Sequence, residues 1–137
     1  MQVEMIVEEG PSPDEVGGGL HLMGEWHACQ GPRILLESLV HVREACVAAV
    51  NQAGLTVVGD RFFPLPDGGV TGTVLLAESH LAIRTWPPEA TVALDVFVCN
   101  HTQDNRAKAR VLFDLVRRSY RPLREELLQV RRGGLAL

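Results

Sequence analysis

Positive charge, cysteine and aromatic residues are all scarce in this sequence of 137 residues. Lys and Arg total 13 against 17 Asp and Glu, which gives a formal net charge of −4. This charge does not predict the basic face with which proteins bind nucleic acid. The basic residues that do cluster, in VRRSYRPLREELLQVRRGG, are interleaved with glutamates and predict a solvated helix and tail. We therefore expect neither a nucleic acid nor a membrane surface as partner.

Long apolar runs and paired cysteines are also missing. No run reaches the roughly 20 residues that a membrane helix requires. The start, MQVEMIVEEGPSPDEVGGG, is acidic and broken by Pro and Gly, the reverse of a signal peptide, so we expect a cytoplasmic protein. The three cysteines, Cys29, Cys46 and Cys99, have no CxxC pairing or metal-ligand spacing, so we expect reduced thiols and no metal site. Cys29 and Cys46 are interpreted as core residues.

The chain divides into a short extension and one domain. Residues 1–16 predict a flexible N-terminal extension, because EEGPSPDE combines charge with two prolines and has no periodic apolar face. Residues 17–137 predict a single domain, since 46% of the chain is hydrophobic and can form a core. The domain begins with GGGLHLMGEWHAC, in which apolar and polar residues alternate as in a strand with one buried face.

The remaining segments predict an α+β fold. RILLESLVHVREACVAAVNQAG has the apolar spacing of one amphipathic helix closed by Gly54. Four β-rich segments follow, LTVVGDRFFPL, GVTGTVLLAES, HLAIRTWP and TVALDVFVC, and then a second helix, NRAKARVLFDLVRRSY. EELLQVRRG is either a last short strand or a frayed tail. This order predicts a two-layer α/β sandwich with a mostly antiparallel sheet and helices on one face.

A polar step, Glu78-Ser79-His80, interrupts two apolar strands in LLAESHLAIRTW. A serine and a histidine at a strand corner are often no more than turn residues. Ordinary serine hydrolase chemistry is not supported, because no GxSxG elbow surrounds Ser79 and no spaced Asp and His complete a triad. The step is therefore either a simple corner or a reactive point of another kind.

The surrounding block, GVTGTVLLAESHLAIRTWPPEATVALDVFVCN, resembles the processing region of the bacterial and archaeal S-adenosylmethionine decarboxylases. In that family a Glu-Ser-His step precedes a Thr-Trp-Pro segment and then Asp-Val-Phe-x-Cys, and the spacing from Ser79 to Cys99 matches. GLHLMGEWHAC and DRFFPLP look like the family's first strand and the segment before its processing site. The resemblance spans most of residues 18–100.

The resemblance implies a proenzyme that cuts itself between Glu78 and Ser79, giving chains 1–78 and 79–137. The Ser79 hydroxyl would attack the Glu78 carbonyl carbon, and β-elimination and hydrolysis would leave a pyruvoyl group at position 79. That covalent cofactor would form a Schiff base with a substrate amine and accept electrons as carbon dioxide leaves. Cys99 occupies the position of the family's catalytic cysteine and would be the proton donor.

Further residues are assigned by the same resemblance. Thr71 stands where the family commonly has a serine whose hydroxyl assists processing. Phe62 or Phe63 would stack on an adenine, and Phe62 is the one assigned to substrate binding. Trp86, in the matched Thr-Trp-Pro segment, and Glu25 are also assigned to substrate binding.

His21 and Glu25 match polar positions of the family's first strand. Strand alternation puts these two side chains on the face opposite Leu20 and Leu22. A merely solvated face is the alternative interpretation of the same pattern.

Two positions depart from the family pattern. Arg84 replaces a histidine implicated in proton transfer during processing, and a guanidinium does not act readily as a base. His80 or another group would then carry the proton, or Arg84 would clamp a carboxylate. Pro88 takes the place of a glutamate that would hold the ribose hydroxyls. Glu89 comes one residue late and is assigned to substrate binding in its place.

The sequence as a whole predicts a pyruvoyl-dependent decarboxylase of polyamine (spermidine) biosynthesis that acts on S-adenosylmethionine. The expected assembly is a homodimer of two-chain protomers. Two alternatives stay open. One is a pyruvoyl-dependent decarboxylase of arginine or ornithine, which the Pro88 departure favours. The other is an unprocessed, catalytically silent homologue, which the Arg84 departure favours.

Overall fold

The computed structural model describes residues 2–8, 18–100 and 103–133. In chain order the elements are β1 (Gln2–Glu8), β2 (Gly18–His27), α1 (Ile34–Glu37), α2 (Leu39–Gln52), β3 (Val57–Pro64), β4 (Val70–Leu76), β5 (Ser79–Trp86), β6 (Thr91–Cys99), α3 (Arg106–Tyr120) and β7 (Arg124–Gly133). The strands form one sheet in the order β1-β7-β2-β6-β5-β4-β3. Only the β1–β7 pair is parallel among the described strands, so the predicted, mostly antiparallel sheet is confirmed.

The two faces of the sheet differ because side chains alternate along each strand. In β6, every second residue, from Val92 to Val98, is fully buried, and the residues between them are half-buried. The buried face packs on the helices: α2 covers β3 and β4, and α3 covers β2 and β6. We call the opposite side the open face, and no described helix packs on it. It carries, among others, His21, Met23, His80, Asp95 and Phe97.

Helix α3 is attached to the sheet by an amphipathic stripe. Its buried residues recur every three or four positions: Ala109, Leu112, Phe113, Val116 and Tyr120. The rings of Phe113 and Tyr120 lie 5.4 and 5.9 Å from that of Trp26 in β2. The Tyr120 hydroxyl donates to the Leu35 carbonyl oxygen at 2.7 Å, which also ties α1 to this cluster, and burial raises the pKa of Tyr120.

The predicted single helix around residues 33–54 is two helices, separated at Ser38. Ser38 has extended backbone angles (φ −101°, ψ 115°), and its Oγ accepts a hydrogen bond from the His41 backbone N at 3.3 Å. A serine that bonds its own backbone in this way begins a new helix. At the other end, Gly54 has φ +82°, a conformation that suits glycine after a helix, so the predicted end is confirmed.

The two ends of the chain differ from the expectation of loose segments. The segment EELLQVRRG lies within the ten-residue strand β7, which is enclosed between β1 and β2 and is no frayed tail. Residues 2–8, expected in the flexible extension, form β1 at the sheet edge, paired in register from Gln2 with Arg124 to Glu8 with Val130. Without β1, one side of β7 would expose unpaired backbone groups. The rest of the predicted extension lies outside the described residues.

None of the helices in the described part of the chain is both long and apolar enough to cross a membrane.

Candidate active site

Ser79 lies at a tight corner between β4 and β5. Leu76 and Ser79 are opposed across the hairpin, so the connecting turn is only Ala77-Glu78. The Ser79 hydroxyl donates to the carbonyl oxygen of the preceding residue, Glu78. The corner therefore holds a hydroxyl directly against the peptide group that precedes it.

The end of β6 supplies a donor to this corner. The Cys99 backbone N–H donates to Ser79 Oγ at 2.7 Å and to the Glu78 carbonyl oxygen at 3.1 Å. A fixed N–H directed at a carbonyl oxygen stabilises negative charge that develops there when a nucleophile attacks the carbon. Glu78 on the turn, Ser79 on β5 and Cys99 on β6 are thus brought together as the sequence predicts.

Asn105 is a member of this site that the sequence pattern did not reveal. It is 2% exposed and immediately precedes α3. Its Nδ2 donates to Glu78 Oε2 at 2.7 Å and to the Cys99 carbonyl oxygen at 2.9 Å. In a sequence, an asparagine before a helix indicates only a helix cap. No local signal distinguishes a cap from a contact made across the fold.

The open face next to Cys99 carries an aromatic and histidine cluster. The rings of His80 and His21 lie 5.7 and 5.9 Å from the Phe97 ring, and Arg132 lies over the same ring at 4.6 Å. His21 Nε2 is buried without a hydrogen bond, 3.9 Å from Asp95 Oδ2. Burial lowers the pKa of His21, the nearby charges of Arg132 and His80 lower it further, and only Asp95 raises it. These effects together favour the neutral form of the imidazole.

Thr71 and Arg84 form a second group, on the same face but farther along the hairpin. These two residues are directly opposed across β4 and β5. The Arg84 guanidinium donates to Asp67 Oδ2 at 2.8 Å and lies over the Trp86 ring at 4.6 Å. That guanidinium, together with the Gly69 N–H, holds the pKa of the Asp67 carboxyl below its usual range. Asp67 in the preceding loop is a further residue that the sequence analysis did not single out.

The two groups do not meet within one chain. Arg84 follows Ser79 by five strand residues, and a strand rises about 3.3 Å per residue, so they lie roughly 17 Å apart. The Pro87–Ala90 turn, with exposed Glu89, lies beyond Trp86, still farther from Ser79. The structure thus brings together Ser79, Cys99 and Glu78, and separately Thr71, Arg84 and Trp86. His80 packs against Phe97 on the open face.

The predicted adenine-stacking residue does not lie on the open face. Phe62 is 8% exposed, belongs to the core, and its ring lies against the backbone of Gly72 on β4. Its neighbour Phe63 is 50% exposed, beside the Arg61 guanidinium at 4.8 Å. One step along a strand reverses the side-chain direction, which a pattern of two successive phenylalanines cannot resolve. Of the two candidates, Phe63 is the one accessible for stacking.

Glu25 lies with other acidic groups on the open face. A cavity of about 470 Å³ is lined by Glu25, Asp95 and Glu126, with Met23 and Leu128 among its apolar walls. Glu25 also belongs to the one group of potential metal ligands found among the described residues. Its carboxylate, His27 and Glu126 have ligand atoms within 4.8 Å of one another, and the two acids are exposed. Such exposed groups are common without an ion, and nothing else at this place indicates one.

The other two cysteines lie in the core. Cys46 is fully buried and Cys29 nearly so. Burial raises the pKa of Cys29 to about 11 and that of Cys46 to about 12, which keeps both thiols protonated. A thiol buried in this way is unreactive, whereas Cys99 is half-buried at a strand end.

Comparison with known proteins shows the family of the chain. Residues 20–133 match the family model described as S-adenosylmethionine decarboxylase. The chain belongs to the S-adenosylmethionine decarboxylase family. The S-adenosylmethionine decarboxylase proenzyme of Thermomicrobium roseum is 39% identical over 116 residues, 84% of this chain and 93% of the relative. That of Archaeoglobus fulgidus is 36% identical over 104 residues, 76% of this chain and 88% of the relative.

A solved structure of the family agrees with the fold. The crystal structure of the adenosylmethionine decarboxylase from Aquifex aeolicus has a TM-score of 0.78 and 26% sequence identity, covering 88% of this chain and 95% of that one. The predicted family and fold class are therefore confirmed. The roles of the individual site residues stay predictions, because they follow from the motif and the geometry alone.

Proposed function

We propose that this member of the S-adenosylmethionine decarboxylase family cuts itself between Glu78 and Ser79 and then decarboxylates S-adenosylmethionine with the pyruvoyl group so formed. One observation carries the proposal. The Ser79 hydroxyl lies against the Glu78 carbonyl group at a two-residue turn, and one N–H, that of Cys99, donates to both oxygens. The proposed substrate is taken from the names of the relatives. The proposed cleavage site follows from the geometry of the corner, which holds the Ser79 hydroxyl against the Glu78 carbonyl group.

The cleavage needs no co-reactant other than water. The Ser79 hydroxyl oxygen bonds to the Glu78 carbonyl carbon, and the C–N bond then breaks, which leaves an ester and a free amine at position 79. The Cys99 N–H, 3.1 Å from the carbonyl oxygen, stabilises the negative charge formed during attack. Loss of the Ser79 α-proton expels the Glu78 carboxylate. Water then replaces the nitrogen of the remaining enamine, and ammonia leaves.

The residues at position 79 fit a pyruvoyl group. β-Elimination would carry Ser79 Oγ away on the Glu78 carboxylate, so the Cys99 N–H that donates to Oγ would become available to the group left at position 79, whose ketone oxygen comes from water. When bound, the group supplies a carbonyl that condenses with the substrate amine and draws electrons from the bond to the departing carboxylate. Cys99 itself lies at the edge of the open face, where its half-buried thiol would deliver a proton to the substrate carbon.

Substrate binding is proposed for the open face. The cavity lined by Glu25, Asp95 and Glu126 is acidic, and would attract a substrate that carries positive charge. Glu25 and Arg84 both pair with Ala93, so this cavity is level with Arg84 and would serve position 79 of a second copy. Phe63, which is half exposed, is the candidate for stacking on an adenine. Trp86 would act indirectly, by packing under the Arg84 guanidinium. Glu89 stays a weaker candidate, because it lies on the turn beyond Trp86.

A homodimer would complete the site. Thr71 and Arg84, assigned to processing, are roughly 17 Å from Ser79 by strand length. They cannot assist that hydroxyl within one chain. A second copy could pack against the open face about a two-fold axis. The Thr71 and Arg84 end of its β4–β5 hairpin would then lie near the Ser79 end of the same hairpin in the first copy. Each Ser79 would then work with the partner subunit's copies of the two residues.

The test is the mass of the freshly purified protein under denaturing conditions. We expect two chains, 1–78 and 79–137, the second lighter than a serine-started chain by the exchange of an amine for a ketone. The Ser79→Ala variant, which lacks the attacking oxygen, should stay whole. A single wild-type chain of 15.0 kDa, or a Ser79→Ala protein that still divides, would contradict the proposal.

One observation favours a second candidate, a silent homologue that is never cut. Arg84 replaces the expected histidine and is already engaged by Asp67, so no base is offered at that position. The proposal requires another group, such as His80, to move the proton. The same mass measurement decides between the two. For a cleaved protein, carbon dioxide release from S-adenosylmethionine, arginine and ornithine separates the proposed substrate from the amino acid alternatives.

A further inference from the structure

Asn105 occupies the N-cap position of α3, but its side chain does not cap the helix. Asparagine is favoured before a helix because its side-chain oxygen accepts a hydrogen bond from the first turn. Asn105 makes no such bond. Its Oδ1 is instead buried without a hydrogen-bond partner. Helix capping therefore does not explain the presence of a polar side chain that is only 2% exposed.

The side-chain amide of Asn105 donates its hydrogen bonds to residues of the cleavage corner. Its Nδ2 donates to Glu78 Oε2 at 2.7 Å and to the Cys99 carbonyl oxygen at 2.9 Å. The opposite orientation would set the amide oxygen against a carboxylate and a carbonyl, so these two acceptors fix which way the amide points. A hydrogen bond to a carboxylate is among the stronger hydrogen bonds in a protein.

This contact joins the two elements whose alignment matters for cleavage. The Glu78 side chain belongs to the residue whose carbonyl is attacked, and Cys99 supplies the N–H that donates to that carbonyl oxygen at 3.1 Å. Asn105 bonds to both residues at once. It is in turn held by Asn100, whose Oδ1 accepts from the Asn105 backbone N at 3.0 Å.

We infer that Asn105 is a positioning residue for self-cleavage: its amide holds the Glu78 side chain so that the Glu78 carbonyl stays aligned with Ser79 Oγ and the Cys99 N–H. The inference rests on the proposed self-cleavage and adds to it a residue that touches neither the attacking oxygen nor the broken bond. Small displacements of reacting groups have large effects on rate, which is why a remote amide matters.

The experiment follows cleavage over time during cell-free synthesis, with samples quenched in acid and the cut fraction read by denaturing mass spectrometry. Asn105→Ala should slow cleavage by at least about tenfold, as expected for the loss of a hydrogen bond to a charged group. Asn105→Asp should be slower still, because two carboxylates then face each other. Adding Glu78→Gln to Asn105→Asp should restore part of the rate, since donor and acceptor are exchanged. A merely structural role predicts no such recovery.

Two further variants keep the test decisive. Glu78→Ala removes the same contact from an accessible turn, and should match the slowing caused by Asn105→Ala without adding to it in the double variant. Ser38→Ala removes a helix-capping contact of α2 far from the corner, and should leave the cleavage rate unchanged. Cleavage of both Asn105→Ala and Glu78→Ala at the wild-type rate would overturn the inference and leave the proposed function intact. A wild-type chain that never cuts would overturn both.

Discussion

Replacing Cys99 by alanine should separate the two reactions proposed for this chain. The contacts that Cys99 makes at the cleavage corner come from its backbone: its N–H lies 2.7 Å from Ser79 Oγ and 3.1 Å from the Glu78 carbonyl oxygen. Cys99→Ala keeps that N–H and removes only the thiol. Cleavage should therefore continue, whereas decarboxylation should lose its proton donor.

The expected sizes of the two effects differ widely. Cys99 is half-buried at a strand end, so loss of its Sγ leaves little cavity. A change within about 0.5 kcal/mol corresponds to a cleavage rate within about twofold of wild type. Loss of a general acid, in contrast, lowers a rate by about 10² to 10⁴-fold. Cys99→Ala should therefore reduce the decarboxylation rate by a factor at least about fiftyfold larger than the factor by which it reduces the cleavage rate.

Two assays on the same preparation measure this difference. Denaturing mass spectrometry gives the cut fraction with time, and release of labelled carbon dioxide from carboxyl-labelled S-adenosylmethionine gives the turnover of the cut protein. Cys29→Ala is the matched control, because it removes a thiol from the core and should leave both rates unchanged. The reasoning is refuted if Cys99→Ala stays uncut, or if its cut form releases carbon dioxide at the wild-type rate.

Two further predictions concern stability. The Cβ that Gly72→Ala adds would lie 2.0 Å from the Phe62 ring, so the variant should have a free energy of unfolding in urea about 1–3 kcal/mol lower than wild type. Gly59→Ala is the control, because its added Cβ would have its nearest neighbour at 4.0 Å and should change the stability little. Equal stabilities of the two variants would show that the Phe62 ring is not held in the core. The pKa of His21 is lowered from 6.5 in the folded chain, mainly by burial, so the unfolded chain binds the proton more readily and stability should fall as the pH drops below about 6.5. His21→Gln should lose less stability than wild type between about pH 7.5 and pH 5, and parallel unfolding curves for the two proteins would contradict the assignment.

Much of the fold could be predicted because each element has a local cause. Strict alternation in TVALDVFVC, with apolar residues at every second position, predicts a strand with one buried face, and β6 has that burial pattern. The three-to-four spacing in NRAKARVLFDLVRRSY predicts α3 in the same way. The ordered motifs Glu-Ser-His, Thr-Trp-Pro and Asp-Val-Phe-x-Cys, with the matching spacing from Ser79 to Cys99, indicated the family, which the comparisons confirm.

Other features have no local cause and could not be predicted. The segment QVEMIVE becomes β1 because the edge of β7 offers it backbone partners from a region more than a hundred residues away. Ser38 divides a continuous helical pattern because its own side chain bonds the His41 N–H in place of the helix. Phe62 faces the core and Phe63 is exposed because pairing register, set across strands, decides which of two neighbours is buried.

The sequence by itself determined the family, the strand and helix periods, and the identity of the corner residues Glu78 and Ser79, since these depend on residue type and spacing along the chain. The tertiary structure alone decided what surrounds the corner. It directs the Cys99 N–H and the buried Asn105 amide at Glu78, and it keeps Arg84 roughly 17 Å away and bound to Asp67. Hydrogen bonds between distant elements depend on register and packing, and these are properties of the folded sheet as a whole.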